Sequence, residues 1–238
     1  MKIGVICEGL TDFHAINHYL GAELHNAGIQ ATFISVQPNA DNTSGGGWGN
    51  VLGWLDGNPL KERDPLFEQG LFANSRRLSG LDSILIHLDT DILPDQSFVK
   101  NLKDRGYVFG SPQSSAAKCT ELTALIHYIS LPNDASPRMK NRHIPAPIAE
   151  SSEAWCVAVD TLFNGSAEAL AGQALANAFG TALARYKNIS PQTTYKNINK
   201  SLKTREDYCK NTKGNLVGLA TCAQFVSIGN TLKNWKFI

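Results

Sequence analysis

The chain has 238 residues, of which 42% are hydrophobic and 18% charged, and a formal net charge of +1; that composition excludes a disordered chain, and the length lets a core form without disulfide or metal staples. Its five cysteines (Cys7, Cys119, Cys156, Cys209, Cys222) form no C-x-x-C pair and are odd in number, which argues against a disulfide framework or a thiolate zinc site and for a reducing compartment. The first residues are too short an apolar run for a signal sequence, and no run approaches the ~20 residues of a membrane span, so a cytoplasmic protein with no membrane partner is expected.

Lys2 to Cys7 reads as a short apolar strand, followed by Glu8-Gly-Leu-Thr-Asp12 and a helix in which Phe13, Ile16, Leu20 and Leu24 recur at helical spacing up to the Asn26-Ala-Gly28 stop. Thr11 or Asp12 would cap that helix. Glu8 then stands at the tip of the first strand, beside a glycine that lets the chain turn closely. Gln30 to Val36 is a second strand closed by Pro38, and the strand, helix, strand order implies a right-handed parallel crossover. Asn39 to Gly57, with Ser44-Gly-Gly-Gly-Trp-Gly49, reads as a loop; it lacks the Lys-Ser/Thr ending of a phosphate loop, and Trp48 and Trp54 pin it to the core or stack on bases. Leu60 to Leu78 is expected to be helical, ending at Arg76-Arg77.

Ser83-Ile-Leu-Ile-His-Leu-Asp-Thr-Asp-Ile-Leu-Pro94 is the most informative stretch. A run this apolar suits a strand buried on both faces, and ligands of such sheets gather beyond the carboxyl ends of the strands. Residues two apart on an extended chain point the same way, so Asp89 and Asp91 converge, and two converging carboxylates repel unless a cation or proton lies between them. The alternative is that one or both cap the helix that follows Pro94. A helix from Gln96 to Arg105, a fourth strand at Gly106-Tyr-Val-Phe-Gly110 and a helix from Ala116 to Leu131 come next, the last with Leu122, Leu125, Ile126 and Ile129 inward beside a structural His127.

Asn133 to Pro147 is polar and proline-rich, a loop or crossover. In Glu150-Ser-Ser-Glu-Ala-Trp155 the two glutamates are three apart and share a face if the segment is helical; Ser151 or Ser152 would cap such a helix, with Glu153 favouring its first turn. Ser166 to Tyr186 is a helix with small side chains, and Leu216 to Ile228 is apolar enough to return to the core. Charge is uneven along this order: residues 1–100 hold twelve acids against six bases, and residues 101–238 nine acids against sixteen bases. Lys196, Lys200, Lys203 and Arg205, with Tyr186, Tyr195 and Tyr208 interleaved, would suit a nucleic-acid track beside a cation site, or simply a solvated face.

Glu8-Gly-Leu-Thr-Asp12, Leu88-Asp-Thr-Asp91 and Glu150-Ser-Ser-Glu-Ala-Trp155 together resemble a TOPRIM-type domain, closest to small stand-alone bacterial TOPRIM-like proteins, some of them tied to phage defence and related to overcoming-lysogenization-type nucleases. The resemblance covers roughly residues 1–160. It implies Mg²⁺-dependent (or Mn²⁺-dependent) phosphodiester hydrolysis on nucleic acid, with Glu8, Asp89 and Asp91 catalytic and with Glu8, Asp12, Asp89 and Asp91 as metal ligands or, for Glu8, an acid/base. Glu150 and Glu153 supplement the shell in this reading. Some nuclease members employ a lysine, and no lysine adjoins these motifs in the sequence. Two other readings stand: a Mn²⁺-dependent nucleotide-sugar glycosyltransferase built on Asp89-x-Asp91, and a non-catalytic module that binds nucleic acid or protein.

The expected fold is therefore α/β, a mainly parallel sheet of about four or five strands with helices on both faces (TOPRIM/Rossmann-like). Residues 1–160 would form that domain and residues 161–238 a helical, Lys-rich extension packing on it. Expected partners are nucleic acid, DNA ahead of RNA, and room is left for a partner protein or a second copy in a homodimer.

Overall fold

In the computed structural model, which describes residues 1–38, 46–68, 79–188 and 201–235, four short strands form one parallel sheet: β1 (Lys2–Ile6), β2 (Thr32–Gln37), β3 (Ser83–Ile86) and β4 (His143–Pro145). Their order is β2-β1-β3-β4, so the chain leaves β1 on one side, through β2, and returns to its other side as β3. The fold class is α/β with a helical C-terminal part, as expected.

Pleating sorts the strand residues between two cores. Ile3, Val5, Leu85 and Ile144 face one apolar cluster, and Ile6, Ile84 and Ile86 face the other, all of them 4% exposed or less. The first cluster is covered by α1 (Leu10–Ala15), which continues through a π-helical turn (Ile16–Leu20) into α2 (Gly21–Asn26), and by the C-terminal helices. The second is covered by α3 (Trp48–Gly57), α4 (Leu60–Phe67), α5 (Gln96–Asp104) and α6 (Ser115–Ser130). Helices on both faces bury the sheet, which is why its central strands β1 and β3 are buried on both sides rather than alternating.

Several local expectations change. Trp48–Gly57 is a helix, not a loop, because Val51, Leu52 and Leu55 give it a buried face. Trp48 packs edge-on against Phe98 (5.2 Å between centroids) and Trp54 lies beneath Arg63, so both pin the segment to the core. Gly106–Gly110 pairs with no described strand; Tyr107 and Phe109 instead pack on each other and on Tyr128 and Phe98. The fourth strand is β4, inside the stretch expected to be a loop, directly after α7 (Pro137–Arg142), whose N-terminus is capped by Ser136. His127 is exposed rather than inward. The expected helix over Leu60–Leu78 is seen to Phe67, and residues 69–78, with Arg76-Arg77, lie outside the described residues, as does the 39–45 part of the glycine loop.

After β4 come α8 (Glu153–Ala158), α9 (Gly172–Lys187), α10 (Leu202–Thr212), α11 (Leu216–Leu219) and α12 (Ala223–Lys233). Phe179, Tyr208, Cys209, Leu219, Phe225, Ile228 and Leu232 belong to the same cluster as Ile3 and Val5, so the C-terminal helices complete one face of the sheet. Trp155 of α8 is fully buried there against Phe225 (5.1 Å). Among the described residues no helix is long and apolar enough to cross a membrane.

Candidate metal centre

Open parallel sheets bind ligands beyond the carboxyl ends of their strands where neighbouring connections leave in opposite directions. Here that point lies between β1 and β3, and Glu8 follows the one as Asp89 follows the other. A cleft of about 650 Å³ opens there, and Glu8, Asp12, Asp89, Asp91, Glu150 and Glu153 all line it. The six carboxylates singled out in the sequence thus share one cavity, with Gly46 and Gly47 on one side and Leu175 and Phe179 of α9 on another.

Each arrives by a different device. The Asp89 N–H donates to Glu8 Oε1 (2.9 Å), tying the ends of β1 and β3 together. Asp89 makes no side-chain cap; the cap of α5 is Asp95, whose Oδ1 accepts from the Ser97 N–H (2.7 Å). Asp91 reaches the cleft through a 3₁₀ turn (Thr90–Ile92), not by strand alternation. Asp12 caps nothing either: it sits inside α1, 6% exposed, and its Oδ1 accepts from Ser152 Oγ (2.7 Å).

Glu150 and Glu153 do not share a helical face. Glu150 lies before α8 with φ 58°, in the left-handed region, held by its own N–H donating to Thr90 Oγ1 (2.7 Å) and by its carbonyl accepting from the Asp91 N–H (3.1 Å). Glu153 opens α8 and pairs with Arg205, which is 1% exposed, lies over the Phe179 ring (4.4 Å) and donates to Ser152 Oγ (3.3 Å). Arg205, read as part of the nucleic-acid track, is therefore a buried support of the cleft, because the charge of Glu153 draws it inward. Lys203 is exposed on α10, and Lys196, Lys200 and Tyr195 lie outside the described residues.

Two residues that the sequence did not single out matter here. Lys118 of α6 brings its Nζ to Glu150 Oε1 (2.8 Å) and lines the cleft, a cation supplied by tertiary contact. His87, fully buried beneath the cleft floor, places Nε2 3.1 Å from Asp89 Oδ1 without an aligned hydrogen bond; neither atom has a hydrogen-bond partner among the described residues. Ligand atoms of Asp12, His87 and Asp89 all lie within 4.8 Å of one another. The signal for His87 was its place as the one polar interruption of a buried strand.

Crowding sets the electrostatics. Burial, then the Asp89 charge, pushes Glu8 up to about 9. Burial, then Asp12 and Asp91, drives Asp89 well above the usual carboxylate range, and burial with Glu153 raises Asp12. Partial burial, then the Glu153 and Glu150 carboxylates, push Asp91 up to about 6 although it reaches solvent at the mouth. Burial would raise Glu153 too, but Arg205, the Ser151 hydroxyl and a backbone N–H together outweigh it and hold it below its ordinary value. A cavity whose acids resist ionisation in one another's company is one that a divalent cation would stabilise.

Fold and cleft define an α/β protein with an acidic centre at the switch point of a parallel sheet. Compared with protein-family models, curated proteins and solved structures, the chain finds no match.

Proposed function

We propose that the protein is a divalent-metal-dependent phosphodiesterase acting on nucleic acid, a TOPRIM-type nuclease, with Mg²⁺ or Mn²⁺ as cofactor and the cytoplasm as its setting. The observation that carries this reading is the convergence of Glu8, Asp12, Asp89, Asp91, Glu150 and Glu153, with Lys118, on one cleft at the carboxyl edge of the sheet. The residues fit a cation: Asp89 Oδ1 is a buried carboxylate oxygen without a hydrogen-bond partner among the described residues, facing other acids. Asp12, Asp89 and Asp91 would hold the ion, with Glu150 and Glu153 lining the same cleft. When bound, such an ion lowers the pKa of a coordinated water and neutralises phosphoryl oxygens.

The chain's own groups do the rest. Glu8, fixed by the Asp89 amide, would accept the proton of the attacking water in the ionised form that a neighbouring cation favours over its raised resting state. Lys118 meets phosphate charge at the rim, exchanging Glu150 for the substrate. Exposed Lys203 belongs to the surface that takes the flanking strand of nucleic acid, DNA ahead of RNA.

Incubating the purified protein with plasmid, oligonucleotides and UDP-sugars in Mg²⁺, Mn²⁺ or EDTA, beside Glu8→Gln and Asp89→Asn variants, tests the proposal. Metal-dependent nicking lost in both variants is expected. UDP release without nicking would transfer the site to glycosyl transfer, and silence on every substrate would leave a binding module.

A further inference from the structure

The main chain at His87 is held on both sides by strand pairing: its backbone N–H donates to the Ile6 carbonyl (2.8 Å), and the next strand passes with Ala146 N–H on the Ile86 carbonyl (2.8 Å). His87 Nδ1 lies 3.0 Å from the Ala146 carbonyl oxygen. A carbonyl only accepts, so Nδ1 carries the hydrogen, and in a neutral ring the Nε2 lone pair is directed at the acids. This is the arrangement by which proteins orient metal-ligating imidazoles: the outer nitrogen donates to a carbonyl and the inner one is presented to the ion.

Opposite Nε2 stand Asp89 Oδ1 at 3.1 Å and the Asp12 carboxylate, all three donor atoms within 4.8 Å of one another, and Nε2 and Oδ1 without a hydrogen-bond partner among the described residues. A lone pair facing carboxylates is repulsive unless a metal cation or a proton lies between them. The nearby thiol does not join: Cys7 Sγ donates to the Gly9 (3.3 Å) and Gln37 (3.5 Å) carbonyls, and burial keeps it protonated. The donor set is one imidazole nitrogen with carboxylate oxygens and no thiolate.

We infer that Asp12, His87 and Asp89 form a mixed nitrogen–oxygen position beneath the cleft floor that selects a first-row transition-metal ion such as Mn²⁺ over Mg²⁺, while the outer carboxylates form an all-oxygen surround. Imidazole nitrogen raises affinity for transition ions and adds little for Mg²⁺, which prefers oxygen and retains its waters. This rests on the metal-dependent reading above and gives it an ion preference that a set of carboxylates alone would not have. The competing occupant of the same gap is a proton on Nε2, making the ring an imidazolium partner of Asp89.

The test is Mn²⁺ and Mg²⁺ titration by calorimetry, with electron spin-echo spectroscopy of the Mn²⁺-loaded full chain, on wild type, on wild type carrying ¹⁵N-histidine, and on His87→Gln. Mn²⁺ is expected to bind at least about tenfold more tightly than Mg²⁺, to show ¹⁴N modulation that changes on ¹⁵N-histidine labelling, and to lose about ten- to a hundredfold in affinity in His87→Gln. The labelled wild type keeps the test decisive if the variant fails to fold. Mn²⁺ bound with Mg²⁺-like affinity and no histidine coupling overturns the inference and leaves the carboxylate site standing. Binding of neither ion overturns both.

Discussion

Glu8 is positioned by its main chain as much as by its side chain. The Gly47 N–H donates to the Glu8 carbonyl (2.9 Å), and a Cβ on Gly46 would stand 2.8 Å from that same oxygen. Backbone cannot yield there as a flexible side chain can, so Gly46→Ala must shift either the glycine loop or the end of β1. The expected result is a folded protein whose cleavage rate falls on the order of 10²-fold, since displacements near ~1 Å suffice for that loss. Single-turnover cleavage beside thermal melting measures it; wild-type rates would mean the loop does not set Glu8. Glu150 makes the complementary point, because its left-handed backbone (φ 58°) is one that side chains disfavour. Thr90 and Asp91 hold it there, and the outcome is a carboxylate aimed at Lys118 rather than one on a helix face.

Among the elements, β4 carries a pH dependence of its own outside the cleft. His143, 2% exposed, donates from Nδ1 to the Met139 carbonyl (2.8 Å) while Nε2 has no partner among the described residues. Burial, with Arg63 nearby, lowers it from 6.5 to about 4. The folded state therefore binds the proton later than the unfolded chain as pH falls. Stability from this group is present above about 6.5 and lost towards about 4, amounting to about 3 kcal/mol from that shift. His143→Gln should flatten this limb: the difference in unfolding free energy between wild type and variant, from urea melts in EDTA, should fall by about that amount between pH 7 and pH 4. A difference constant with pH would mean that His143 takes up its proton without cost in the folded state.

At the scale of the molecule, the C-terminal helices belong to the centre. Arg205 on α10 reaches Glu153 and, through Ser152, Asp12, so a residue far along the chain orients a carboxylate near its start. Removing one partner of a buried pair leaves an uncompensated charge and costs about 3–5 kcal/mol. Arg205→Met should lower stability by that order, and Arg205→Met with Glu153→Gln should recover part of it in the same urea melts. If single and double variants lose equally, the pair is not the source of the cost. The basic stretch read as a surface track thus divides: Lys203 faces solvent and Arg205 faces the core.

Elements whose signals are local could be read directly from the residues. Apolar runs marked β1, β2 and β3, helical spacing marked α1 and α6, small side chains marked α9, and the acids that could gather at strand ends stood out as Glu8, Asp12, Asp89, Asp91, Glu150 and Glu153. Tertiary structure alone decided the rest. Strand order depends on which edges meet in space, so the three-residue β4, with a proline on an outer strand where a missing N–H is tolerated, could not be told from a loop, and Tyr107-Val-Phe109 could not be told from a strand. Lys118 and Arg205 lie far in sequence from the acids they meet and carry no mark of it. His87 looked like one polar residue in a buried strand; only the Ala146 carbonyl on one nitrogen and Asp12 and Asp89 before the other give it a chemical direction.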